Sequence, residues 1–594
     1  MIRERLIRAA DRLRAAAGKS RLLSVLGRQP ERNEFGSVVN GRFHRSILRE
    51  SETGVIFRWF RAARTEILSA SLRSLGVFLL AWGVVSILVL SVGEQFDFFN
   101  LQFGIPLAVA TSAIPLCFSG RMISEELTGN FLTGNFLLGF CKFSISLFET
   151  EPRRERILYP LFAGTAIGTL SVFFHPMWFP LLLLFSFIFL IGLAVPETTV
   201  FPIVLAFPFL GFFPHPSLLL GVFCLFSIVC WLPKVLSGRR QYRFLKLDIA
   251  VLLFAAILTL GGAVNAAGAD GTGPLLTVYL LAAWFPIRTW LTSLFWRDRV
   301  LSCLLFSGSI CAGIGILQYA LGRGEVQWLD LSMFEDLGGR VTSTFSNPNI
   351  LAIFLLVIFG LSLGGCFSSA SVRWFCLIPL SLSGVCLILT WSRGAWLGMI
   401  AALMFFFLFH SRGTLAALLV SPLAVLGILP WLPSSIRSRF ASIGNLAESS
   451  SRYRWNTWRG VLRMIRAHPY GIGNGETAFH TVFPNFAVSG TESVMHAHNV
   501  FLQVAAENGI AAAILLIGIF GMAFWLFFAT RTANSSRFER AWAIGNAATL
   551  LSLIVMGMFD HLWYQPTMFY LIWFVVALLT AQAESTWEGG FYGT

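Results

Sequence analysis

About sixteen apolar runs follow one another along this chain, from residues 74–93 to residues 566–583, with mostly short polar breaks between them. Each of the longer ones can cross the hydrocarbon core of a bilayer as a helix, which takes about 20 residues. The rest of the composition agrees: 56% of the residues are hydrophobic, 12% are charged, and the mean hydropathy is +0.72. The expected fold is therefore all-α, a polytopic transmembrane helix bundle of about 14–16 spans. One long exofacial loop interrupts it and should contain short amphipathic helices.

Charge places the ends of these spans. Residues 1–66 hold fifteen Arg or Lys against seven Asp or Glu before any apolar run begins, which predicts a basic cytoplasmic N-terminal tail with no cleavable signal peptide. Simple alternation from there puts the basic loops 234–247, 288–299 and 531–542 inside, and the acidic connections 94–99 and 322–348 outside. The net charge of +14 sits in the tail and in short loops between spans, so it serves topology and not nucleic-acid binding. The chain divides accordingly into the tail, an N-terminal transmembrane region at 67–299, a second at 300–432, the long loop at 433–498, and C-terminal spans with a short tail at 499–594.

Residues 433–509 are neither tail nor span, and they hold the densest polar chemistry. From Arg437 to Arg466 there are seven arginines and no lysine, a choice suited to bidentate binding of phosphate. A helix over 452–466 would place Arg452, Arg459, Arg463 and Arg466 on one side. Trp455, Trp458, Val461, Leu462 and Ile465 would form an apolar side able to lie on a membrane surface. Further on, Asn499, Gln503 and Glu507 recur every four residues, and His496 extends the stripe if the helix begins that early. Such a stripe should face a cavity or a partner helix, since polar groups facing lipid are costly. His498 sits at the start of that helix, off the stripe, where the helix dipole favours a neutral ring. On chemistry alone it reads as either structural or catalytic.

Two more polar features fall on the same predicted face. Arg340 to Asn349 contains Asn347-Pro348-Asn349, a turn followed by a helix start. Thr390 to Trp396 places Arg393 at a membrane boundary with almost no loop around it, so it must snorkel or bind something. Phe559 to Tyr564 reads as a short outer loop with an aromatic belt and one polar cluster. The nine cysteines all lie in or beside apolar runs, no metal-ligand spacing occurs, and no Gly-Lys-Ser phosphate loop is present. A disulfide framework, a metal, a cofactor and a soluble nucleotide as energy source are accordingly not expected.

Four pieces in this order resemble the O-antigen ligase and polymerase superfamily of bacterial membrane glycosyltransferases over roughly residues 300–580. They are Asn-Pro-Asn at 347–349, Ser-Arg-Gly-Ala at 392–395, Arg-x-x-x-Trp at 454–458 running into Pro-x-Gly-x-Gly at 469–473, and His-Asn-x-x-Leu-Gln-x-x-x-Glu-x-Gly at 498–509. The resemblance implies transfer of a glycan from undecaprenyl pyrophosphate to a lipid, protein or growing-glycan acceptor, outside the cytoplasmic membrane of a bacterium. It implies that His498 is catalytic and that Arg393 and Arg454 bind pyrophosphate, with Arg452 as the substitute for the second. His496, Asn499, Gln503, Glu507 and Asn349 would support them. The long tail and the extra spans before residue 250 depart from simpler members and leave the acceptor open. A repeat-unit polymerase, a bicarbonate-type carrier and an envelope scaffold are the competing functions; nearly acid-free spans count against the carrier.

Overall fold

The computed structural model describes residues 65–93, 101–130, 157–173, 195–213, 215–236, 242–264, 272–322, 339–411, 449–530, 537–563 and 565–589, with isolated positions between them. The basic tail, the apolar runs at 179–195 and 413–432, and most of the acidic connections lie outside them. Two compact units are present. Residues 39–199 with 232–239 form one, and residues 200–231 with 240–594 belong to the other. The first unit contains α1 (Leu72–Gly93), α2 (Leu101–Ala113), α3 (Ile123–Gly129) and α4 (Leu158–Thr169). Its helices α1 and α4 pack closely, and a buried Ser86–Ser171 hydrogen bond of 2.9 Å joins α1 to the turn that follows α4.

The larger unit starts with α5 (Val200–Ala206) and most of α6 (Pro216–Leu236). Then follow α7 (Lys246–Val264), α8 (Thr272–Leu291), α9 (Leu294–Ala320), α10 (Pro348–Cys366), α11 (Ala370–Leu389) and α12 (Arg393–His410). After the long loop, which holds α13 (Ser449–Ala467) and α14 (Glu476–Val482), come α15 (Val500–Asn508), α16 (Ile510–Thr530), α17 (Arg537–Gly557) and α18 (Pro566–Gly589). Among the described residues ten helices are long and apolar enough to cross a membrane, and the fold is an all-α polytopic bundle.

Packing in this bundle follows side-chain size. Helices α10 and α18 are the most enclosed spans, and α10 presses against α17 through glycine. A β-carbon built on Gly545 would fall 2.5 Å from the Gly364 Cα, and one on Gly360 would fall 2.2 Å from Thr549 Oγ1. Lipid chains are as apolar as the helix surfaces, so close backbone approach through small residues supplies the attraction that burial supplies in water.

A buried ion network ties α18 to α7 and α8. Arg288 pairs with Asp248, and its Nε reaches Glu584 Oε2 at 3.3 Å; Trp284 Nε1 donates to Asp248 Oδ1 at 2.7 Å. The Arg288 guanidinium also lies over the Tyr242 ring, 4.5 Å from its centroid. Both carboxylates are thus compensated by one cation, as burial requires.

The apolar run 500–530 is not one helix. Gly509, with φ +88°, breaks it into α15 and α16. The polar stripe therefore belongs to a separate nine-residue helix, and His496 lies in the loop before it.

Candidate active site

One end of the larger unit gathers segments that are far apart in sequence. The Gly-rich loop 471–475 lies along α15: Ile472 N donates to Ala506 O at 2.9 Å, Gly473 N to Glu507 O at 3.0 Å, and Ile510 N to Pro469 O at 3.1 Å. Gly471 has φ +92°, and a β-carbon there would meet Glu507 O at 2.3 Å, so the contact tolerates no side chain. Stripe residues serve this junction. Gln503 accepts from Ala497 N at 2.6 Å and donates to Glu507 Oε1 at 2.9 Å, and Glu507 accepts from Gly475 N at 3.4 Å. The stripe faces the protein's own loops, not an open cavity. Asn499 is the N-cap of α15, accepting from Phe501 N and Leu502 N, and its amide donates to Met558 O at 3.0 Å.

That last bond brings the start of α15 to the α17–α18 turn. There His498 Nδ1 lies 3.2 Å from Asp560 Oδ1, which also accepts from the His561 backbone at 2.9 Å. The His496 ring stands 4.1 Å from that of His498, and its Nδ1 accepts from His498 N at 3.3 Å. Tyr453, from α13, presents its ring edge-on to His498 at 6.2 Å. His498 is held in the left-handed region, φ +49°, which a β-carbon disfavours. Ser343 and Trp391, both near other site segments, share that region at φ +51° and +55°. Such residues persist where surrounding contacts over-determine the backbone.

The electrostatics follow from packing. Burial, seconded by the neighbouring His498, holds the His496 imidazole well below its ordinary value. Burial likewise brings His561 down to about 3 against the pull of Asp560. Burial alone would raise the Asp560 carboxyl, but its bond to His498 and the nearby charges of His498, His496 and Arg454 hold it below the usual carboxylate range. A carboxylate so placed accepts the Nδ1 proton of His498 and leaves Nε2 for a second partner. His498 keeps 23% of its side chain exposed; Asp560 keeps 9%.

The arginines divide. Arg454 is half-buried in α13, and its charge is felt by His496 and Asp560, whereas Arg452, Arg459, Arg463 and Arg466 are exposed. The apolar face expected to rest on a membrane is split: Val461 and Ile465 are buried in the protein, and Trp455 and Leu462 stay exposed. Arg393 is buried as the first residue of α12. Its neighbour Gly394 packs against the Phe559 Cβ, next to Asp560. Arg340 holds that corner in place: Nε donates to Thr390 O and NH2 to Asn349 Oδ1, each at 2.8 Å. Asn349 is thereby engaged by Arg340. Its own backbone N–H is capped by Asn347 at 2.8 Å.

Asp560 was not singled out from sequence, and neither was the part played by Arg340. The signal for Asp560 was an acid wedged between two apolar runs and followed by histidine. Its partner stands 62 residues away, and no local pattern joins them.

With this geometry, residues 378–517 match the sequence model of a family described as O-Antigen ligase. Over these residues the chain is similar to the O-antigen ligase superfamily. A stretch of 210 residues is 30% identical to an O-antigen ligase of Pseudomonas aeruginosa, covering 34% of this chain and 47% of that protein. The chain thus spans about half the length of this relative. The superfamily match takes in Arg393, Arg454 and His498, while Asn349 lies before it and Asp560 after it.

Proposed function

We propose that this chain is a membrane glycosyltransferase that moves a glycan from a polyprenyl pyrophosphate carrier, undecaprenyl pyrophosphate in bacteria, to an acceptor hydroxyl on a lipid, a protein or a growing glycan. The reaction takes place at the outer face of the cytoplasmic membrane and uses neither metal nor nucleotide. The observation that carries the reading is the His498–Asp560 pair, 3.2 Å apart, with Arg454 beside it.

In the transfer, the acceptor oxygen attacks the anomeric carbon and gives its proton to Nε2 of His498. Asp560 holds Nδ1 and stabilises the imidazolium that forms, a positioning role. The bond from the anomeric carbon to the pyrophosphate oxygen breaks, and its electron pair leaves with the pyrophosphate. Arg454 and Arg393 meet that developing charge with fixed guanidinium forks. Gln503, Glu507, Asn499 and Asn349 hold the loops that carry these groups, and His496 packs against the base. A carrier reading would call for ionisable groups at mid-membrane depth; Asp248 and Glu584 are already engaged by Arg288, which weighs against it.

Lysine at Arg393 or Arg454 keeps the charge but loses the fork. Each substitution should lower transfer by about ten- to a hundredfold, the loss of one or two charge-assisted bonds. Transfer from purified lipid-linked donor to acceptor measures this, and full activity in both lysine variants would remove pyrophosphate binding from the reading. Sidedness has its own test. On this reading residues 433–498, Arg393 and Asn349 lie outside, so a cysteine at Ser489 should react with an impermeant maleimide on the outer face of the membrane. Protection of that position in intact cells, with labelling after permeabilisation, would reverse the topology.

A further inference from the structure

We infer that His496, His498 and Asp560 form a capture site for Zn2+, and that its occupancy switches transfer off. One ligand atom from each of the three lies within 4.8 Å of the other two. The shortest edge, His498 Nδ1 to Asp560 Oδ1, is 3.2 Å. Two ligands on a tetrahedral zinc ion stand about 3.3 Å apart when the metal–ligand bonds are near 2.0–2.1 Å. This edge therefore needs almost no adjustment. Two imidazoles and a carboxylate suit zinc and its first-row neighbours, whereas magnesium and calcium call for oxygen donors.

Two observations beyond the trio point the same way. The Asp560 carboxylate accepts the His561 backbone N–H at 2.9 Å, the kind of outer bond that orients a ligating carboxylate. The His561 imidazole is buried, neither of its ring nitrogens has a hydrogen-bond partner among the described residues, and its centroid is 5.6 Å from that of His496. An unsatisfied buried imidazole is costly, and a ring rotation toward the trio would satisfy one nitrogen as a further ligand.

The consequence for transfer rests on the role proposed for His498. Zinc takes the place of the proton between Nδ1 and Asp560, and as that proton leaves the ring takes one up from solvent at Nε2. With Nδ1 bound, the neutral ring keeps its one proton on Nε2, the nitrogen that must accept the acceptor's proton. The base is thereby lost while the arginines remain available to the donor.

The test uses the purified full chain in detergent. Co2+ absorption in the visible range reports binding directly, Zn2+ displaces it, and transfer is followed in the same samples. One equivalent should bind, Asp560→Asn and His496→Gln should each weaken binding at least about tenfold, and zinc should stop transfer with the midpoint of binding. A chelator should restore it, and Mg2+ at the same concentration should leave transfer unchanged. Where a variant fails to fold, protection of the wild-type histidines from diethylpyrocarbonate by Zn2+ serves instead. No saturable binding and no protection would overturn the site. One bound equivalent with undiminished transfer would overturn the blockade and, with it, the base role of His498, while leaving the metal site standing.

Discussion

His498→Ala should lower transfer by about a hundred- to ten-thousandfold, the usual contribution of a positioned general base, while donor binding stays near wild type. The two effects separate because the pyrophosphate is assigned to arginines and the acceptor proton to the imidazole. His498 sits at φ +49°, where alanine is strained, so a loss of activity in the alanine variant alone has a second possible cause. His498→Asn removes that ambiguity, since asparagine tolerates the left-handed region but cannot act as a base. Both variants should fail in the same way. His496→Ala should be milder, because that ring packs beside the base and hydrogen-bonds its backbone. Wild-type turnover by His498→Asn would take the residue out of the mechanism, and loss of donor binding would move it into the anion site.

Arg288→Leu should destabilise the protein by about 3–5 kcal/mol, the cost of stranding buried charge. Arg288 is the cation shared by Asp248 and Glu584, and all three are buried. Removing it takes from both carboxylates the cation they share across α7, α8 and α18. Combining it with Asp248→Asn and Glu584→Gln should recover much of the loss, because the neutral amides carry no charge to desolvate. Thermal unfolding in detergent, followed by size-exclusion of the heated protein, gives the comparison. A single variant as stable as wild type would mean that water reaches this network and that it contributes little to the fold.

How far the site was legible depended on how local each feature was. The helical segment at 452–466, the N-cap at Asn347, the turn before Arg393 and the helix start at Asn499 are set by neighbours in sequence, and the structure places α13, α10, α12 and α15 accordingly. The stripe Asn499, Gln503, Glu507 was legible as a stripe, but its direction was not. It faces the 471–475 loop because glycines 471, 473 and 475 let that loop come within backbone hydrogen-bonding distance of α15. The same limit hid the division between Arg452 and Arg454. Two residues apart on a helix, they point to different sides, and only the packing of Val461 and Met464 decides which side is outside.

What the sequence determined by itself is the membrane bundle and the polar segments that interrupt it, because hydrophobic length and helix-capping chemistry act over a few residues. The tertiary structure alone decided that Asp560 meets His498, that Arg340 locks Asn349 to Thr390, and that Arg288 neutralises two helices at once. These contacts join residues from 9 to 296 positions apart, the shortest of them across a turn whose direction depends on the helices around it. Their geometry comes from close helix packing through small residues such as Gly364 and Gly545, which has no counterpart in any single segment's pattern.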